Sequence, residues 1–460
     1  MKKNYFLLIP LVLLFICSKG YAQMQGINAS SERYVRSLQA KPEFVKVERI
    51  SNKYMLTSLQ NLNSIGSTFV KTKEGSDYIE LGNTSPGFMV YDFKYFDNYV
   101  YFCGEHGSNG FIAWATLDDI FNSGNFDYER LPTVGVVYNL EVFVDPTNEK
   151  PKVVALGYET STQNYSFIDY NVWNNTGTYD VYETPFRLQN LTQTKEYIAV
   201  VFSDITYPYK YFGVMKHQKV NISNCQSRMF EFANGGIATG DLLGRLPEYN
   251  KASYLIEWIE GSPNVMVATC IDQLNSPSLG YPIALFNIDL DNFNLYSTQI
   301  IPNDGKPYVK DMVYMPYDKT MHLLINGQFG DDYSNVPSGN YKYTDFIHKI
   351  NVWETNGYLS EILLPNSNTD GEDILNSITR YDRYYYMVGG VLSGNSELYW
   401  FDRRIDVSGS QCYVNYETKV YFNPPQLVGS ITYSPNPIPS SVSSGSFLSS
   451  QRQYIKICSD

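Results

Sequence analysis

Apolar residues along most of this chain come in short runs, each broken by Gly, Asn, Asp or Pro. Residues 97–118, DNYVYFCGEHGSNGFIAWATLD, show the unit: a tight polar turn, an apolar run, a polar stretch and a second apolar run. Such runs, bounded by turn residues, read as β-hairpins. The unit recurs at 382–402, DRYYYMVGGVLSGNSELYWFD, where Asp382 falls on Asp97 and Tyr384–Gly389 falls on Tyr99–Gly104. More divergent copies begin KPKVVALGYE, KEYIAVVFSD, SPNVMVATCI and DKTMHLLING. An apolar run precedes each hairpin (GFMVYDFKYF, YNLEVFVD, VKDMVYMPYD). A short alternating run follows it, often ending before proline (YERLP, YDVYETP, YLSEILLP).

Four strands per unit therefore emerge. The anchor positions Gly104, Gly157, Ser203, Cys270, Gly327 and Gly389 lie 46 to 67 residues apart. This grammar predicts an all-β fold, a β-propeller of four-stranded blades with loop insertions. A lone four-stranded meander cannot bury both faces, whereas a ring of blades can. Six copies span about 87–404, and the flanks 44–81 and 411–425 read as strands of a composite seventh blade. Seven blades are thus expected, with six the alternative. Long helical periodicity is scarce, and SSERYVRSLQAK (30–41) is the one helix candidate, capped by Ser30 or Ser31. The segment YYYMVGGVLSGNSELYWFD, with its double glycine before a Tyr/Trp-bearing strand, resembles a kelch hairpin. That resemblance covers one unit and implies kinship of architecture.

The ends organise the rest. MKKNYFLLIPLVLLFICSKGYAQ has two lysines, a short apolar stretch and small residues at Gly20 and Ala22, the pattern of a signal peptide cleaved after Ala22. Its YAQ ending resembles secretory signals of Bacteroidota. The expected division is a signal peptide over 1–22, a lead-in over 23–43, a propeller over 44–425 and a Ser/Pro-rich tail over 426–460. Within that tail QYIKIC (453–458) alternates like one more strand. The expected location is exported: periplasmic, cell-surface or secreted. No other stretch is long and apolar enough for a membrane helix.

Composition narrows the chemistry. Forty-one tyrosines and 25 phenylalanines suit pleated surfaces. Lys and Arg total 35 against 47 Asp and Glu, without a basic cluster, which argues against nucleic acid as a partner. Of six cysteines, Cys17 lies in the signal segment. Cys412 with Cys458 is the candidate disulfide, tying the tail to the last repeat, and no Cys/His group has zinc spacing.

In a propeller the loops between second and third strands share one face with the blade-to-blade connections. That reasoning gathers Glu105, His106, Glu159, Asp204, Tyr207, Tyr209, Asp272, Asp331, Asp332 and Tyr333 as candidate binding residues on one mouth. Loop aromatics suit sugar faces and protein interfaces. Asp331–Asp332 is a weak hint of a cofactor, Ca2+, as are NTDGED (368–373) and DLDNFN (289–294), and otherwise none is expected. The expected function is a non-enzymatic binding protein for a protein or carbohydrate partner. The alternative is a glycan-active hydrolase or lyase whose carboxylates converge at the axis.

Overall fold

The computed structural model describes residues 33–36, 42–51, 54–61, 66–73, 78–122, 124–159, 162, 164–173, 178–204, 211–231, 254–270, 283–301, 306–328, 343–353, 358–363, 372–381, 384–392 and 398–406. In the tail it describes 426–429, 436–439, 442–446 and 455–456. Strand β1 (Arg33–Arg36) comes first. A first sheet holds β2 (Pro42–Arg49), β3 (Tyr54–Asn61), β4 (Gly66–Lys73) and β5 (Tyr78–Asn83). A second holds β6 (Phe88–Phe96), β7 (Tyr99–His106), β8 (Asn109–Thr116) and β9 (Asn125–Leu131), with the single-turn helix α1 (Leu117–Phe121) before β9. The third holds β10 (Val136–Val144), β11 (Pro151–Glu159), β12 (Asn164–Tyr170) and β13 (Thr178–Thr184). The fourth holds β14 (Arg187–Gln193), β15 (Tyr197–Ser203), β16 (Tyr211–Gln218) and β17 (Asn221–Glu231). The fifth holds β18 (Tyr254–Trp258), β19 (Asn264–Cys270), β20 (Ile283–Asp289) and β21 (Leu295–Ile301). The sixth holds β22 (Lys306–Met315), β23 (Thr320–Gln328), β24 (Tyr343–Asn351) and β25 (Tyr358–Leu363). The seventh holds β26 (Glu372–Tyr381), β27 (Tyr384–Leu392) and β28 (Leu398–Asp406). The tail adds β29 (Gln426–Gly429), β30 (Asn436–Pro439), β31 (Val442–Ser446) and β32 (Ile455–Lys456).

Every sheet is antiparallel, and the fold is an all-β propeller. The first strands of the sheets touch in cyclic order, β2 to β6, β10, β14, β18, β22 and β26, and β26 touches β2 again. Among the described residues these inner strands therefore enclose an axis. Apolar layers fill the wedges between consecutive sheets. One joins Leu56 and Phe69 of the first sheet to Phe93, Phe102 and Phe111 of the second. Another stacks Phe212 on Phe230, Tyr254 and Phe286 between the fourth and fifth, at 4.9–5.6 Å between rings. Fully burying an aromatic side chain of this kind stabilises by roughly 1.5–3 kcal/mol.

The ends differ from expectation. Residues 33–36 form a strand, not part of a helix: β1 pairs Arg33–Arg36 with Asp402–Tyr399 of β28 and supplies the outer strand of the seventh sheet. That sheet has only three strands from the C-terminal side, and its free edge satisfies the β1 backbone better than an isolated helical turn would. The composite sheet is therefore this one. Residues 42–83 build a complete sheet by themselves, and 411–425 lies outside the described residues, as do the signal segment and Cys412 and Cys458.

The tail strands then run back along the outer edges. In order they pair with β17, β13, β9 and β5, the fourth, third, second and first sheets. The tail is thus a belt laid against the direction in which the sheets were built. Pro437 is exposed and Ile438 packs against the core between the second and third sheets. Gly445 crosses over the ring of the buried Phe126, where a Cβ would come within 2.4 Å of Cζ. Ser444 Oγ donates to Asp127 Oδ1 at 3.0 Å.

Candidate functional site: the axial cavity

Six of the seven inner strands carry a register shift near their start, at 44/46, 90/92, 137/139, 188/190, 309/311 and 375/377. A β-bulge of this kind re-aims the residues beside it. It also explains an anchor glycine. Opposite the bulge in β6, a Cβ on Gly104 would fall 1.6 Å from the carbonyl oxygen of Met89.

The residue after each shift is polar: Lys46, Asp92, Asn139, Asn190, Asp311 and Ser377. All of these side chains except Lys46 accept from backbone N–H groups at the next position around the ring. Leu140 N donates to Asp92 Oδ2 (2.9 Å), Leu191 N to Asn139 Oδ1 (3.1 Å) and Ile256 N to Asn190 Oδ1 (3.2 Å). Ile378 N donates to Asp311 Oδ2 (3.0 Å) and Val47 N to Ser377 Oγ (3.2 Å). Two positions remain, Phe93 and Met312. The strand before each offers no acceptor, because Lys46 is a donor and Leu255 is apolar. There the aspartate turns back on its own strand: Phe93 N donates to Asp92 Oδ1 and Met312 N to Asp311 Oδ1, both at 2.9 Å. Aspartate, with two acceptor oxygens, stands where one side chain must serve two strands. All seven axial N–H groups are thereby satisfied, as buried donors require.

Two residues further along, a second layer faces the axis. Lys94 Nζ lies 3.4 Å from Glu48 Oε1 and 3.1 Å from Glu141 Oε1, and Lys46 Nζ lies 2.9 Å from Asp92 Oδ1. Glu48 Oε2 accepts from Tyr95 N at 2.6 Å, and Glu141 Oε2 accepts from Gln193 Nε2 at 3.0 Å. Burial opposes the charge on Lys46 and Lys94, but the surrounding carboxylates outweigh it and hold both ammonium groups above the usual lysine range.

These layers bound a cavity of about 330 Å³. Its charged lining consists of Lys46, Lys94, Lys310 and Arg380 with Glu48, Asp92, Glu141, Glu257 and Asp311; Tyr91, Tyr138 and Thr379 also line it. Glu257, on β18, belongs to the second layer but makes no hydrogen bond among the described residues. Burial pushes its carboxyl up to about 8; Glu141 and Asp311 add to the rise, while Lys94 and Arg380 oppose it. At neutral pH it is a neutral acid, able to donate as well as accept. Arg380 is engaged by Tyr314 O and Glu260.

The rim residues fall as follows. Strands β7 and β8 run closer together than the sequence suggested, and the polar stretch shrinks to a two-residue turn, Gly107–Ser108, with Gly107 at φ +67°. Glu105 and His106 are therefore neighbours in a strand and point to opposite faces. Glu105 hydrogen-bonds Tyr91, which lines the cavity, and burial raises its carboxyl. His106 stacks on Phe88 at 4.0 Å, and burial, then Arg130, lowers its imidazole. They make no acid–base pair. Glu159 pairs in register with Asn164 at a hairpin end. Asp204 closes its turn through backbone and side-chain bonds with Tyr211. Tyr207, Tyr209, Asp272, Asp331, Asp332 and Tyr333 lie outside the described residues. Among those described, no group of three metal-ligating side chains occurs and no helix is long and apolar enough to cross a membrane.

Sequence reasoning passed over the axial residues. Their signal was a polar–apolar–variable triplet inside the first run of each unit: KVE, DFK, NLE, NLT, DMV and SIT, against LIE in the fifth.

No family model matches the chain, and no curated protein matches it. Solved structures do. The Dos1 propeller aligns at 8% identity over 81% of this chain and 81% of its own, with a TM-score of 0.48. The polysaccharide lyase Uly1 aligns at 9% identity over 83% of this chain and 100% of its own, TM-score 0.33. A glycosyl hydrolase from Bacteroides ovatus aligns at 9% identity over 71% and 86%, TM-score 0.27.

Proposed function

We propose that the protein is an exported binding propeller that takes a polar partner, a glycan or a protein segment, at its axial cavity and the rim around it. The observation that carries this reading is the cavity itself. Ligand sites are concave and hold a few convergent polar groups, and here charged side chains from six inner strands converge on one space. The ring is rigid because neighbouring strands are tied by side-chain bonds, so the site is formed before a partner arrives and the ordering cost of binding is small. The N-terminal pattern supports export, and the kelch-like hairpin supports a repeat ancestry.

A second reading has its own support. Glu257, held neutral by burial beside the carboxyl groups of Glu141 and Asp311, belongs to a carboxyl set of the kind that acid–base hydrolysis uses. A glycan array probed with residues 23–460, followed by product analysis on each hit, separates the two. Binding without turnover, abolished by filling the cavity with Thr379→Trp, supports the binding propeller. Release of shorter sugars, lost in Glu257→Gln, supports the enzyme. Hits indifferent to Thr379→Trp overturn the axial site in both forms.

A further inference from the structure

The fifth sheet breaks the axial pattern in three ways at once. Among the described residues, its inner strand β18 (Tyr254–Trp258) pairs with β19 without a register shift. Its residue at the linking position is Leu255, 8% exposed and packed in the core between the fifth and sixth sheets, where every other sheet places a polar side chain. No described side chain therefore ties β18 to β22 at this level. Two residues on, Glu257 faces the cavity without a hydrogen bond among the described residues, while its counterparts Glu48, Lys94 and Glu141 are bound to one another.

A structural ring would have no use for such a residue. A partly buried carboxyl with no hydrogen-bond partner among the described residues costs stability, and a polar or apolar side chain of the kind used at Thr379 or Val313 would avoid that cost. From this break in the repeat we propose that Glu257 is the ligand-contacting residue of the axial cavity, and that the ligand is an uncharged, hydroxyl-rich molecule of the size of one or two sugar rings. This deepens the axial-binding reading and rests on it.

Charge argues for an uncharged ligand. With Glu257 protonated, the four basic side chains of the lining face four other carboxyl groups, Glu48, Asp92, Glu141 and Asp311. A charged ligand would enter a neutral site and compete with ion pairs already made. A polyol needs only hydrogen bonds, and a carboxylic acid gives it one donor and one acceptor side by side. The groups facing Glu257 are Lys94 from β6, Glu141 from β10, Asp311 from β22 and Arg380 from β26; their opposing effects leave burial to hold it neutral.

The test is calorimetric titration of maltose, cellobiose, lactose and a galacturonic acid dimer at pH 6.5 and pH 9, on wild type, Glu257→Gln and Glu257→Ala. The expected result has three parts. A neutral disaccharide binds wild type at least tenfold more weakly at pH 9 than at pH 6.5. Glu257→Gln, which keeps a donor and an acceptor without ionising, binds equally at both. Glu257→Ala loses at least tenfold at both. Preference for the uronate dimer, or a pH profile identical in wild type and Glu257→Gln, overturns the inference. If none of the four sugars binds while array hits remain sensitive to Thr379→Trp, this inference falls and the axial site stands. If those hits are also indifferent to Thr379→Trp, both fall.

Discussion

Two halves of the axial layer are built from one repeat and differ in how completely their charges are used. On the side of β2, β6 and β10, every ionised group has at least one partner of opposite charge or a backbone donor: Lys46, Glu48, Asp92, Lys94 and Glu141 form one continuous network. On the side of β18, Glu257 makes no hydrogen bond or ion pair among the described residues, although Lys94 and Arg380 lie near it. The first half needs all its members, since a buried ion pair broken on one side leaves a charge uncompensated. The second half holds a group that weakens the fold. Repeats make such a contrast informative, because six copies state what structure alone requires and the seventh states what it does not.

The sharpest way to break the contrast is to damage the saturated half. Asp92→Ala removes the acceptor of Phe93 N, Leu140 N and Asn139 Nδ2 and the counter-charge of Lys46. We expect a loss of about 3–5 kcal/mol in urea unfolding. A loss below about 1 kcal/mol would mean that water replaces the carboxylate and that the network is not a structural tie.

The open half should respond with the opposite sign. Glu257 has a folded-state value near 8 against about 4.3 for an unfolded glutamate, so the folded form binds the proton more tightly. Stability is then highest below pH 4 to 5 as far as this group is concerned, and it falls as pH rises toward 8. Glu257→Gln should therefore stabilise the protein by about 3 kcal/mol at pH 7 and by almost nothing at pH 4. Denaturant midpoints across that range read the difference directly, and a variant less stable than wild type at pH 8 would contradict the unpartnered state of the carboxyl.

The repeat grammar made the four-stranded sheets readable, because alternating burial and turn residues are local signals. The turn at Asp97–Asn98, with φ of 49° and 64°, is of the sort that polar turn residues announce. The first half of the tail reading was also local: Ser and Pro imply extended chain. Its destination was not, since pairing of 426–456 with edges some 200 to 380 positions earlier depends on which edges the ring leaves open. The helix expected over 30–41 failed at 33–36 for the same reason, as a distant edge at β28 decided the conformation. The axial site hid because its residues sit inside apolar runs, where a single Asp, Asn or Glu passes for noise until the copies are aligned on the bulge instead of on the glycine.

Away from the axis, the wedges between sheets carry a titration of their own. His217 is fully buried, stacked on Phe167 at 4.0 Å, with Nδ1 2.8 Å from the carbonyl oxygen of Ile222. Burial lowers its imidazole to about 4. The folded form thus binds the proton less tightly than the unfolded chain, near 6.5, and the stability present above pH 6.5 is lost as pH falls toward 4. About 2 kcal/mol should be gone by pH 5. His322, also buried and bonded to Thr320 Oγ1, shifts the same way and adds to the slope. Acid weakens the wedges while alkali weakens the axis, and His217→Gln should flatten only the acid side of the profile.

The smallest effect tests the outer rim against the inner one. Inner strands are fixed by side-chain ties at every step but that from β18 to β22, whereas the belt is held by short ladders and a few contacts, and its third strand depends on Gly445 lying flat on Phe126. Gly445→Val puts a side chain where the ring already is, so β31 must lift from β9. The core beneath is unaffected, because Phe126 also packs against Phe88 and Phe102 from within. The cost should be about 1 kcal/mol globally, with the effect concentrated in hydrogen exchange: amides of β31 and the β9 edge should exchange faster, and those of β6 and β10 should not change. A global unfolding shift of several kcal/mol, with axial amides deprotected as well, would mean that the belt holds the ring closed, and the contrast between a self-sufficient axis and an added outer strap would have to be given up.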